Sequence, residues 1–130
     1  MGTHRYARSE ANPIFTEDKL FLRNGADFSG TAYALDPTTG ELLWEIPNIV
    51  GNLIYSPDKH LIYALHKDGN LLAVDENNGK ETVIATFSPS PFIFLDGTDP
   101  GAYQLAYDAD ERILVVYLGD SRQLFAFKVE

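Results

Sequence analysis

The sequence contains no cysteine, which excludes disulfide frameworks, thiolate metal sites and cysteine nucleophiles. Basic side chains are scarce: 10 Lys and Arg stand against 19 Asp and Glu, a formal net charge of −9. A surface of that sign repels nucleic-acid phosphates and anionic lipid headgroups, so no nucleic acid and no membrane surface is expected as a partner. No apolar run approaches the length needed to span a bilayer. The N-terminal MGTHRYARSEANP lacks the apolar core of a secretory leader. The compartment stays open: a cytoplasmic protein, or a periplasmic or extracellular one if the sequence begins after a removed leader or inside a longer protein. Helical periodicity is missing. No phosphate loop, dinucleotide fingerprint or nucleophile elbow occurs.

What is present is a folding core and a repeat. Hydrophobic residues make up 45% of the chain, with seven Tyr and eight Phe, too many for a disordered chain. Short β-type segments alternate with turn signals. Asn12–Thr16, Lys19–Arg23, Gly30–Asp36 and Glu41–Ile46 form a first group of four. Asn52–Ser56, His60–His66, Asn70–Asp75 and Glu81–Phe87 form a second, and Tyr103–Asp108, Arg112–Leu118 and Gln123–Val129 an incomplete third. Leu20 and Leu22 alternate with Phe21 and Arg23, whereas Arg112–Leu118 hardly alternates and reads as buried on both faces.

The groups superimpose. Asp18-Lys19 and Asp58-Lys59 are 40 residues apart, and Asp36 and Asp75, like Gly40 and Gly79, are 39 apart. Four short strands repeating every 40 or so residues predict an all-β chain of β-propeller blades. The blades are expected at about 12–46, 52–87 and 103–129, with an insertion at 88–102 and an N-terminal extension at 1–10.

Ala34–Trp44 reads ALDPTTGELLW. Asp36 and Pro37 begin a tight turn, Gly40 supplies a positive φ, and Trp44 follows on the outermost strand, where its ring can pack between blades. These residues, with Ala34 and Thr39, resemble the A-x-D-x-x-T-G-x-x-x-W tryptophan-docking motif of quinoprotein (PQQ-like) β-propellers. The next copy, AVDENNGKETV, keeps Ala73, Asp75 and Gly79 but has Asn78 for the Thr and Val83 for the Trp. The resemblance implies blades stapled together by docked tryptophans. In quinoprotein dehydrogenases it also implies pyrroloquinoline quinone with Ca²⁺ on the ring axis. No catalytic Asp or calcium set falls on a matching position here, so neither cofactor is expected.

Three blades are too few to close a ring, since closed propellers typically have four to eight. Two routes follow: a homodimer forming a six-bladed ring, with Thr3–Ser9 as closing strand of the partner's last blade, or a larger propeller of which these blades are part. The expected function is a non-catalytic binding or scaffolding module with a protein partner or self-association. The alternative is a fragment of a PQQ-dependent quinoprotein dehydrogenase. Phe92, Phe94, Asp96 and Asp99 in the inserted segment form the expected contact loop. Asp96 and Asp99 flank Gly97 without matching a full calcium loop. His60 and His66, six apart on one expected strand, are too distant to share a metal. Tyr33, Tyr63 and Tyr117 are expected in packing roles.

Overall fold

The computed structural model describes residues 13–24, 30–86, 103–118 and 123–129. The segments 1–10 and 88–102, and with them the expected closing strand and Phe92, Phe94, Asp96 and Asp99, lie outside the described residues. Ten strands follow in order: β1 (Ile14–Phe15), β2 (Leu20–Asn24), β3 (Gly30–Leu35), β4 (Leu42–Ser56), β5 (Leu61–His66), β6 (Asn70–Asp75), β7 (Glu81–Thr86), β8 (Tyr103–Asp108), β9 (Ile113–Leu118) and β10 (Gln123–Lys128). Every neighbouring pair is antiparallel. β1 to β7 form one curled sheet in sequence order, and β10-β9-β8 form a second.

The first two repeats share a sheet because β4 is one 15-residue strand. The expected segments Glu41–Ile46 and Asn52–Ser56 run together in it. Its first half pairs with β3 from Leu42 to Ile49, and its second half pairs with β5 from Ile49 to Ser56. The change of partner occurs at two left-handed residues, Asn48 (φ 64°) and Gly51 (φ 73°). Asn and Gly tolerate that conformation, which bends the strand without breaking it. The first unit is thus β1, β2, β3 and the start of β4. The second is the end of β4 with β5, β6 and β7, and β8 to β10 make the third.

Units stack face to face. Phe21, Ala32, Ala34, Trp44 and Ile46 of the first unit meet Leu53, Ile62, Ala64, Leu72 and Val74 of the second. The second unit's other face, with Val50, Tyr63, Leu65, Leu71 and Ala73, meets Leu105, Leu114 and Val116 of the third. As the middle layer, β5 and β6 are buried on both faces, each along four consecutive residues. At the inner edge, Asn52 ties β4 to β8: its Nδ2 donates to Leu105 O at 3.0 Å and its Oδ1 accepts from Leu105 N at 2.8 Å.

This layering corrects the reading of β9. β9 is buried on one face only. Leu114 and Val116 are covered by the second unit, while Ile113 and Val115 are half-buried and Tyr117 is exposed. Among the described residues β9 has a neighbouring layer on one side, so an apolar run alone does not bury both faces. In β2 the buried pair is Phe21 and Arg23, with the Arg23 Nε donating to Ile49 O at 2.9 Å. The hydrogen bond is what lets a guanidinium occupy a core position. His60 is not on the strand with His66. It closes the preceding turn at φ 57°, and the strand starts at Leu61.

Candidate functional site

Two turns of the same construction, Asp36–Glu41 and Asp75–Lys80, carry the docking motif and its second copy. In the first, Asp36 N donates to Glu41 O at 2.8 Å and Gly40 N to Asp36 O at 2.7 Å. In the second, Asp75 N donates to Lys80 O and Gly79 N to Asp75 O, both at 2.9 Å. Asp36 Oδ1 accepts from Thr38 N at 2.8 Å and Thr39 N at 3.3 Å, and Asp75 Oδ1 accepts from Asn77 N and Asn78 N at the same distances. Thr39 Oγ1 and Asn78 Oδ1 then each accept the amide two residues on. The substitution of Asn78 for Thr is therefore silent in the turn, because either side chain supplies the acceptor. Gly40 and Gly79 take φ of 78° and 75°, where a Cβ is strained.

The turns differ in what lies on them. Trp44 crosses from the first unit to the second unit's turn, where its Nε1 donates to Glu76 O at 3.0 Å. A Cβ on Gly79 would stand 2.7 Å from Trp44 Cγ, whereas one on Gly40 would meet nothing within 4 Å. Phe21 supports the ring from its own unit at 5.9 Å between centroids, with Tyr55 stacked 5.9 Å beyond Phe21. A β-bulge aims the indole. Pairing shifts between Leu35↔Leu42 and Ala34↔Trp44, placing Trp44 on the face of Ala34. In the second copy the shift comes later, between Leu72 and Leu71, so Ala73 pairs with Thr82 and Val83 with Leu72. Val83 lies on the other face, 51% exposed, and is not the spatial counterpart of Trp44. Between the second and third units a cleft of about 260 Å³ lies among Leu61, Tyr63, Ala73, Ile84, Phe127 and Val129.

Two glycine substitutions separate the turns. Gly40→Ala is expected to cost about 1–2 kcal/mol, from the left-handed backbone alone. Gly79→Ala adds the collision with Trp44, about 1–3 kcal/mol more. Equal costs in urea denaturation would mean that the ring does not rest on Gly79.

A buried polar cluster flanks the docked ring. Lys19 Nζ, on the first unit's turn, donates to Asp18 Oδ1 at 3.3 Å and to Glu76 Oε2 at 3.4 Å. Glu76 Oε1 accepts from Tyr55 Oη at 2.8 Å and lies 3.2 Å from His60 Nδ1. Lys19 and Glu76 are both buried. Burial pulls the Lys19 ammonium pKa down, but Asp18 and Glu76 outweigh it and raise it overall. Burial, then the Glu76 hydrogen bond and charge, push the Tyr55 hydroxyl up to about 12. Both groups hold their protons more tightly folded than unfolded. Their contribution is therefore complete below about pH 10, where the unfolded groups begin to titrate, and is lost as pH rises through the folded values. Denaturation midpoints measured from pH 8 to 12 should fall above pH 10, and Tyr55→Phe should shallow that fall.

Among the described residues no three His, Asp or Glu side chains come together to hold a metal ion. His66 Nδ1 sits 2.9 Å from Asp68 Oδ1 in its own turn, apart from His60. Among them, too, no helix is long and apolar enough to cross a membrane.

This fold also occurs in solved structures. The chain folds as part of a β-propeller. It is 23% identical to the dihydro-heme d1 dehydrogenase NirN solved in complex with DHE, covering 90% of this chain and 24% of that one, with a TM-score of 0.54. It is 15% identical to the quinohemoprotein alcohol dehydrogenase ADHIIG from Pseudomonas putida HK5, over 92% and 27% of the two chains, at a TM-score of 0.52. The computationally designed Ika8 protein aligns at 16% identity over 93% and 36%, also at 0.52. No family model and no curated protein matches. The chain spans between about a quarter and a third of these structures. The propeller fold accords with the blade repeat read around Ala34–Trp44. Likeness at these identities establishes the blades and not an activity, since two dehydrogenases and a designed protein share them.

Proposed function

We propose that the chain is a non-catalytic propeller module, without a resident quinone or calcium, that binds protein through the open faces of its blade stack. The observation that carries this is an internal comparison. On the second blade, Ile62, Ala64, Leu72 and Val74 are buried under the first blade. Leu20, Leu22, Tyr33 and Leu35 hold the matching places on the first blade and are half-buried, with Leu42 beside them 47% exposed. At the far end, Tyr117 and Leu124 of the third blade are exposed. Large apolar side chains gathered on a sheet face mark an interaction surface. The homodimer with a six-bladed ring is one form of this binding.

Leu42→Asp tests the reading without touching the core. Sedimentation of the full chain, alone and with proteins cross-linked to it, should show complexes that the variant loses. A monomer that captures no protein in either form defeats it. A second reading, part of a quinoprotein dehydrogenase, draws on the two dehydrogenases of which the chain spans about a quarter. A rise in melting temperature with added quinone and Ca²⁺ would favour that reading instead.

A further inference from the structure

We infer that the cleft between the second and third blades binds a small planar aromatic carboxylate, of the size of indole-3-acetate. The site lies within the blade stack, apart from the open faces assigned to protein binding.

The two blade interfaces are built from the same positions, and the second lacks two groups that the first has. The first missing group is a ring. In the first interface Trp44 pairs with Ala34 and lies in one core with Phe21 and Val74. In the second, the repeat puts Leu61, Ala73 and Phe127 at the places of Phe21, Ala34 and Val74. The residue paired with Ala73 is Thr82, which is exposed. The slot keeps its walls and loses its ring. What remains is the cleft of about 260 Å³, with Leu61, Tyr63, Ala73, Phe127 and Lys128 in its lining. An apolar cavity of about 150 Å³ takes benzene, so this one admits a bicyclic ring.

The second missing group is a carboxylate. In the first interface Glu76 accepts from Lys19 and Tyr55 and lies beside His60. All three have counterparts in the next interface: Lys59, 40 residues on, and Tyr107 and Arg112, each 52 residues on. The main chain agrees. Glu76 N donates to His60 O at 3.1 Å and Val129 N to Arg112 O at 2.8 Å, with His60 and Arg112 both at φ 57°. Val129 therefore stands where Glu76 does, and the donor set is kept around a valine. The Tyr107 hydroxyl is buried with no hydrogen-bond partner among the described residues. Its ring packs on Tyr63 of the cleft wall at 5.5 Å between centroids. Asp58 reaches Arg112 Nη2 only at 3.8 Å, and both side chains are exposed. A buried donor without an acceptor is costly, and an arriving carboxylate relieves that cost. Lys128, where the second blade has Asp75, adds a cation to the lining. A ring that carries a carboxylate supplies both missing groups at once.

The experiment titrates the full ¹⁵N-labelled chain with indole-3-acetate, indole and acetate. Amide shifts are expected at Ala73, Thr82, Ile84 and Val129. Indole should bind about ten-fold more weakly than indole-3-acetate, the loss of a charge-assisted hydrogen bond, and acetate should not bind measurably. Thr82→Trp returns the ring and should abolish binding of both indoles. Val129→Glu returns the carboxylate and should remove the preference for indole-3-acetate. Lys59→Gln with Tyr107→Phe serves the same purpose if the Glu variant does not fold. Equal binding of indole and indole-3-acetate to the unaltered chain, or binding unchanged by Thr82→Trp, would overturn the inference. So would shifts confined to Asp75–Lys80 through displacement of Trp44, or no shift at millimolar ligand.

Discussion

Replacing Trp44 with Ala is expected to cost about 3–5 kcal/mol, the range for truncating a buried Trp. The size follows from what the ring does. It is the largest side chain shared by the first two blades, 8% exposed, and it closes over Gly79. Ala would remove the contact with Phe21, leave Glu76 O without its indole donor, and open a void at the outer edge of the interface. Against a total stability of about 5–15 kcal/mol for a typical domain, that leaves the chain marginal. Trp44→Phe keeps most of the packing and loses the hydrogen bond, for about 1–2 kcal/mol. Urea denaturation measures both. A Trp44→Ala cost within about 0.5 kcal/mol, the surface range, would show that the ring is not docked.

Glu76→Leu should rank next, at about 3 kcal/mol. Breaking a buried ion pair from one side strands the other charge, at about 3–5 kcal/mol. Here Lys19 keeps Asp18 at 3.3 Å, which places the loss at the lower end. The Glu76 main-chain carbonyl remains to accept the indole, so the substitution isolates the side chain's role. The double variant Lys19→Met with Glu76→Leu should recover most of the loss, since replacing both charges with apolar groups is often neutral or better. Additive costs in the double variant would show that the two side chains do not act as a pair.

The reach of the sequence depends on how local each feature is. Strands and turns were legible because the first two blades repeat Asp, Gly and apolar residues at offsets of 39 and 40. Those turns are held by bonds spanning two to five residues. Trp44 was legible as a docking residue, but its receptor was not. AVDENNGKETV looked like a worn copy of the motif, whereas Glu76 and Gly79 within it are what Trp44 docks on. That relation joins residues 32 apart through blade stacking, and no local pattern encodes it. Val83 looked like a substituted Trp because spacing cannot show where a bulge falls, and moving the bulge puts the residue on the opposite face. Arg23 in a core row and β9 buried on one face only depend on which layer lies alongside. The inserted segment with Phe92, Phe94, Asp96 and Asp99 lies outside the described residues.

The long strand β4 ties two blades into a single cooperative element. Propeller blades are usually separate sheets that interact with their neighbours like coins in a stack, and stacked repeats can fray one at a time. Here the outer edge of the first blade and the inner edge of the second are one continuous strand, Leu42–Ser56, paired with β3 along its first half and with β5 along its second. Peeling away the first blade frees half of that strand and uncovers Ile62, Ala64, Leu72 and Val74 of the second, so the two open together. Among the described residues the third blade shares no ladder with them and is held by side-chain packing and the Asn52 bridge. Slow amide exchange should thus divide the chain after β7, into a two-blade unit of high protection and a third blade that opens first.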